Sequence, residues 1–313
     1  MKGHYRVGTR GSRLAVTQTQ QTVDALAALH PGTTFELVHI KTTGDKIADV
    51  PLSAIGDKGL FVKEIELALL DGSIDVGVHS MKDMPTELPA GLRIGCVPLR
   101  RAPWDCLITQ QGATVHQLPP QAVVGSGSLR RRAQLAAVRS DLQFVELRGN
   151  LPTRLRKLRE GPMMATLLAL AGLERLGAVQ GSEIVSDGET FGCSVLPMEV
   201  CVPAVGQGAL CLECRDGDRD ALDLLEPLDD AASNAAVRAE RRFLAVLEGG
   251  CQIPAGSCGT VAGGVLTLTS VLCSKDGQSV WRDMRHGPPA EAEAEALGEA
   301  AARKLLENSA VRR

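Results

Sequence analysis

The chain has 313 residues, of which 44% are hydrophobic and 23% charged, a length and balance that exclude a disordered protein and call for two or three globular domains. A net charge of −3 argues against a nucleic-acid partner, and no apolar run approaches the ~18 residues that would cross a membrane. The charged start of the chain lacks the apolar stretch of a signal peptide, and nine irregularly spaced cysteines, mostly inside apolar runs, suit the reduced thiols of a cytoplasmic protein.

Short apolar runs alternate with helical patterns through the first half. A strand is predicted at Tyr5–Thr9, then a helix over Ser12–Leu29 with Ser12 as N-cap, and a strand at Thr34–Lys41. An amphipathic helix at Phe61–Leu70, a buried strand at Ile74–Val78 and another at Leu92–Val97 follow. A Pro- and Arg-rich joint at Pro98–Pro103 opens a second set. Its predicted elements are a strand starting at Val123–Val124, a helix at Ser128–Val138, a strand at Leu142–Leu147, a helix at Thr153–Arg159, a strand at Ala165–Ala169 and a helix at Ala171–Leu176. Strand alternating with helix implies an α/β domain with a largely parallel sheet in the first set, and the second set reads as a second α/β domain. Val202–Arg215 reads as a Gly-rich turn and a strand. The remainder reads as α+β: helices near Asp220–Leu225 and Ala231–Leu247, three antiparallel strands near 259–264, 266–273 and 278–284, and a final helix at Glu291–Glu307.

Charge is unevenly spread. Residues 93–175 hold 13 basic and 5 acidic side chains, and all but one of the basic residues are arginine. Arginine offers a planar fork of donors that grips carboxylates and phosphates bidentately, so the excess points to a small polyanionic ligand. Gly125-Ser126-Gly127-Ser128-Leu129-Arg130 joins a strand to a helix, where backbone N–H groups make an anion cradle. It lacks the third glycine of a dinucleotide fingerprint and the Lys of a P-loop. Arg130, Arg131 and Arg132 oppose the helix dipole there, which favours an anion partner over helix stability. Thr9-Arg10-Gly11-Ser12 and Arg148-Gly149-Asn150 with Arg154 repeat the theme.

Three further stretches bear on chemistry. In His79-Ser80-Met81-Lys82-Asp83, Asp83 follows a strand end, where ligands bind in open sheets. It fits a surface ion pair with Lys82 or a carboxylate that moves protons and stabilises a cation. In Glu248-Gly249-Gly250-Cys251-Gln252, the Gly-flanked Cys251 fits a nucleophilic or tethering thiol, though a structural role is open. Cys211-Leu212-Glu213-Cys214 lies in a strand whose residues three apart face opposite ways, so no metal site is expected.

Together these stretches resemble the porphobilinogen deaminase (hydroxymethylbilane synthase) family, from Arg6 to the final helix. The similarity is carried by TRGSRLA (9–15), GDKGLFVKE (56–64), VHSMKDMP (78–85), GSGSLRRRAQL (125–135), LRGNLPTRL (147–155), LALAGLERLG (168–177), PAVGQGAL (203–210) and LEGGCQIPAG (247–256). The resemblance implies two α/β domains like the lobes of periplasmic binding proteins, with the site in the cleft, and a smaller α+β C-terminal domain. The implied division is 1–98 with 200–216, 99–199, and 217–313.

The resemblance also implies a transferase of tetrapyrrole and haem biosynthesis. Four porphobilinogen molecules would be deaminated and condensed head-to-tail on a dipyrromethane held by Cys251 through a thioether. Hydrolysis would then release hydroxymethylbilane. Asp83 matches the catalytic carboxylate. Lys58, Lys82, Ser128, Arg130 and Arg131 match cofactor contacts, and Arg10, Ser12, Phe61, Arg148, Arg154 and Arg175 match substrate contacts. Cofactor and substrate rings together carry about twelve carboxylates, tolerable in a partly buried cleft only if paired. Porphobilinogen is the one partner implied: no metal, nucleic acid or membrane, and a monomer. Ala54, Met164 and Arg132 depart from the family pattern. The competing reading is a two-lobed anion-binding or sensing protein without catalysis, which would need neither Cys251 nor a third domain.

Overall fold

The computed structural model describes residues 2–46, 59–247 and 253–310. Cys251, Lys58 and Ala54 lie outside the described residues. In the first sheet, β1 (His4–Arg10) pairs in parallel with β2 (Thr34–Ile40) and β3 (Val76–Ser80). Helix α1 (Arg13–Leu29) connects β1 to β2. The Ser12 hydroxyl accepts from Ala15 N at 3.3 Å, capping an amide that the helix itself leaves without a partner. A short α2 (Thr43–Lys46) and α3 (Lys63–Leu70) precede β3. The chain later returns as β12 (Leu210–Arg215), which lies between β3 and β4 (Leu92–Cys96), antiparallel to both, so the sheet expected to be largely parallel is mixed because the returning strand enters it in the opposite direction. Tyr5, Val7, Val78, Leu212 and Cys214 form the core beneath this sheet.

A seven-stranded second sheet is built around β5 (Asp105–Thr109). It pairs antiparallel with β8 (Ala165–Ala169), beyond which β6 (Val123–Gly125) and β7 (Gln143–Val145) run parallel. On the other side stand β11 (Glu189–Val195), β10 (Glu183–Ser186) and β9 (Val179–Gln180), all antiparallel. The sequence reading had no strand at 105–109 or 179–195. Its helices stand: α4 (Leu129–Val138), α5 (Leu151–Glu160), capped by the Asn150 side chain, and α6 (Leu170–Arg175).

The C-terminal sheet is the antiparallel set β13 (Ala255–Ala262), β14 (Val265–Cys273) and β15 (Val280–Gly287). After α7 (Arg219–Leu225), helix α8 (Ala231–Val246) packs against β13 and against α9 (Glu291–Ala310). Phe243, Leu266, Leu268 and Leu305 fill the space between them.

The two crossings between the first and second sheets run side by side. Arg101 N donates to Gly208 O at 3.2 Å. A Cβ at Gly208, whose φ is +88°, would meet Arg101 O at 2.5 Å, so this approach requires glycine. Glu240 of α8 joins the C-terminal unit to both crossings. Its fully buried carboxylate accepts from Gly206 N at 2.6 Å and from Gly259 N at 2.7 Å, and pairs with Arg100.

Candidate active-site cleft

Strand β3 ends in a 3-10 turn, Met81–Asp83. Met81 is buried and anchors the turn, its N donating to Ala209 O at 3.1 Å. Gly206, at φ +69°, lets the returning chain close on it, since a Cβ there would meet Met81 Cγ at 2.6 Å and Lys82 N at 3.1 Å. The turn leaves Asp83 half-buried and Lys82 exposed, at the C-terminal end of a parallel strand.

The facing wall is the start of α4, where the Ser128 hydroxyl accepts from Arg131 N at 3.4 Å. Arg130 and Arg131 turn inward from this helix onto Asp105, the first residue of β5. Arg130 Nη1 lies 2.6 Å from Asp105 Oδ2 and 2.7 Å from Val202 O. Arg131 donates from Nε to Asp105 Oδ1 at 2.8 Å and from Nη1 to Leu167 O at 2.8 Å. Gln207 Nε2 adds a bond to Asp105 Oδ1 at 3.0 Å. Burial alone would push the Asp105 carboxyl up, but the two guanidiniums overcome it and hold it far below the usual carboxylate range. One carboxylate against two guanidiniums leaves a positive remainder on this wall.

That remainder is felt across the cleft. Although the Lys82 side chain is exposed on its turn, the mass of protein around its ammonium lowers its pKa; Arg131 and Arg130 press the same way, and Asp83 and Asp105 oppose. Lys82 thus lies within electrostatic reach of Asp83, Arg130 and Arg131. Within reach of Arg131 too is Arg154 on α5. Its Nε donates to Gly149 O at 2.8 Å, and its pKa falls to about 10, from burial first and then from Arg131 and Arg148, with Glu146 opposing. Arg175, buried at the end of α6, donates to Gly208 O at 2.7 Å. Its pKa also falls to about 10, through burial and then Arg101. A guanidinium crowded by other guanidiniums is a binding site for an anion. A linear array of carboxylates fits this surface on its charge.

Of the remaining expected residues, Arg10 stacks on Phe61, its Cζ 4.0 Å from the ring centroid. Ser12 and Ser128 are helix caps, whose hydroxyl protons remain available to a ligand. Sequence reasoning missed Asp105, Gln207, Arg101 and Glu146. The signal for Asp105 was an acid inside the apolar run Trp104–Ile108, since a buried carboxylate demands a cationic partner.

The eight described cysteines are buried. Cys211 packs beside Met81 and Val237, whereas Cys214 packs on the opposite side with Tyr5 and Val7. Burial pushes Cys258 up to about 12 and Cys273 up to about 11, so neither offers a ready thiolate.

The family model described as porphobilinogen deaminase, dipyromethane cofactor binding domain, matches residues 5–223, and the model of the porphobilinogen deaminase C-terminal domain matches residues 234–307. The chain belongs to the porphobilinogen deaminase family. Porphobilinogen deaminase of Syntrophotalea carbinolica is 50% identical over 289 residues, covering 92% of this chain and 89% of that one. The Moorella thermoacetica enzyme of the same name is 48% identical over 305 residues, covering 97% and 94%. Among solved structures, the chain is similar to the periplasmic aliphatic sulphonate binding protein SsuA from Escherichia coli. The TM-score is 0.43 and the identity 14%, over 100% of this chain and 90% of that one. The fold class expected from the sequence, two α/β units and a C-terminal antiparallel sheet, stands.

Proposed function

We propose that this chain is a porphobilinogen deaminase that condenses four porphobilinogen molecules and releases hydroxymethylbilane. The observation that carries the reading is the match of both porphobilinogen deaminase family models, over residues 5–223 and 234–307, to a chain that sets Asp83 in the turn after β3 and brings Arg130 and Arg131 together on Asp105.

Tethered to Cys251 through a thioether, a dipyrromethane would offer a free pyrrole α-carbon as the nucleophile for chain growth. Arg131, Arg148 and Arg154 would pair with ring carboxylates along the second unit, and Arg10, Arg175 and Ser12 would hold the incoming porphobilinogen. Lys58, Lys82, Arg130 and Ser128 add contacts or charge on the cofactor side, and Phe61 shields the site through Arg10. Asp83 would accept hydrogen bonds from pyrrole N–H groups. When the aminomethyl C–N bond breaks and ammonia leaves, the substrate becomes a methylene-pyrrole cation, and a fixed carboxylate lowers its energy. Once the new C–C bond forms, Asp83 is placed to take the displaced α-proton.

We place the division at 1–98 with 200–216, 99–199, and 217–313, the pairing of β12 with β3 and β4 supporting the discontinuous first unit. A cytoplasmic monomer is the assembly we propose. Among the described residues no helix is long and apolar enough to cross a membrane.

The test is turnover. Incubation with porphobilinogen should consume four molecules per linear tetrapyrrole released, and Arg148→Leu should impair chain extension more than folding. A folded protein that binds porphobilinogen without consuming it would favour the sensing reading.

A further inference from the structure

Glu146 stands among the arginines of the cleft. Its Oε1 accepts from Arg148 Nε at 3.1 Å, and its Oε2 lies 4.0 Å from Arg132 Nη1. Its charge is also felt at Arg154, where it opposes the effect of Arg131 and Arg148. The carboxylate hangs over the small-residue loop that opens α4: a Cβ built on Gly127 would meet Glu146 Oε1 at 2.8 Å. It is a half-exposed acid, its side chain 46% accessible, in the anion cradle that the Gly-Ser loop and its arginines create. Arg132, whose role the sequence left open, belongs to the same arrangement, with its Cζ 5.9 Å from the Phe144 ring centroid.

We propose that Glu146 is a built-in competitor for this cradle, a carboxylate of the chain itself that occupies the place a pyrrole carboxylate takes. The inference rests on the reading above that Arg148 and Arg154 bind ring carboxylates. The chemistry of the two groups is the same, and each carboxylate can meet only so many guanidiniums. A ring carboxylate reaching Arg148 must displace Glu146 or share the guanidinium with it. Glu146 therefore weakens binding at this one position. It also keeps Arg148, Arg132 and Arg154 from repelling one another when the cradle holds no ligand. The contact is partly solvated, so its worth is that of a half-exposed ion pair, and its removal should change affinity by about two- to fivefold.

The test compares Glu146→Gln, Glu146→Asp and Arg148→Leu with the parent protein at low ionic strength. Glu146→Gln should lower KM for porphobilinogen by about two- to fivefold. Inorganic phosphate should protect it against thermal unfolding at correspondingly lower concentration. Glu146→Asp, which keeps the charge, should lie nearer the parent. If Arg148→Leu raises KM while Glu146→Gln leaves KM and phosphate protection unchanged or weakened, Glu146 orients Arg148 and does not compete, and the proposal fails. If Arg148→Leu itself changes neither KM nor chain extension, the anion-binding reading of this wall fails first.

Discussion

The guanidinium of Arg100, on the first crossing, closes on the carboxylate of Glu240, on α8, with side-chain exposures of 8% and 0%. Glu240 also accepts from the second crossing and from β13, so one acid ties three units together. Removing one partner of such a pair leaves a buried charge unmatched. Glu240→Ala should cost about 3–5 kcal/mol in urea unfolding, and Arg100→Ala a similar amount. The double variant should cost less than the two together. Additive losses would mean the pair is not coupled.

Asp105 is expected to govern both stability and the anion wall. Its pKa is lowered in the fold, so its contribution is full above the ordinary carboxylate range and is lost as pH falls toward the folded value. Asp105→Asn should therefore destabilise at pH 7 by about 3–5 kcal/mol, with the gap from the parent narrowing in acid. A gap that stays constant from pH 7 to pH 2 would contradict the assignment.

Under the Asp83 turn lies a different kind of cluster. His79 Nε2 is 3.1 Å from Glu213 Oε2, and Glu66 is buried beside them with its Oε1 unpartnered among the described residues. Burial first, and then Glu213, raises the Glu66 pKa, with His79 opposing. A carboxyl whose folded pKa is raised stabilises least above that pKa, where ionisation costs the folded state most. Glu66→Gln should raise the melting temperature by about 2–4 °C at pH 8, and the gain should vanish near pH 4. A gain that persists in acid would rule out the titration of Glu66 as its source.

Asp83→Asn keeps the size of the side chain and removes its charge. Porphobilinogen should still bind through the arginines, while turnover falls by about 10²–10⁴-fold. Near-parental turnover would remove Asp83 from the chemistry.

Much of this was legible from residues alone. The run Ala165–Ala169, apolar but for Thr166, matches its strand to the residue, and Ser12 and Ser128 announced their helices by their chemistry. The strands at 179–195 stayed hidden because β9 and β10 are short and all three are half-polar with no sustained alternation. Strand β5 stayed hidden because its first residue is a charge that only the fold neutralises. For the same reason Arg130 read as a pure ligand contact. Its carboxylate partner lies 25 positions earlier in the chain, and only the folding of the second sheet and its helix brings them together. Cys251 was singled out by its Gly-flanked motif and Lys58 by the family resemblance alone, and both lie outside the described residues.

The central claim, a pyrrole primer bound to Cys251 in an arginine-lined cleft, is tested most directly by intact-protein mass spectrometry of the purified chain beside Cys251→Ser. We expect the parent to be heavier than its sequence by two linked pyrrole units and the variant to show only its sequence mass. An active parent at its bare sequence mass, or a variant that keeps the added mass, would contradict it.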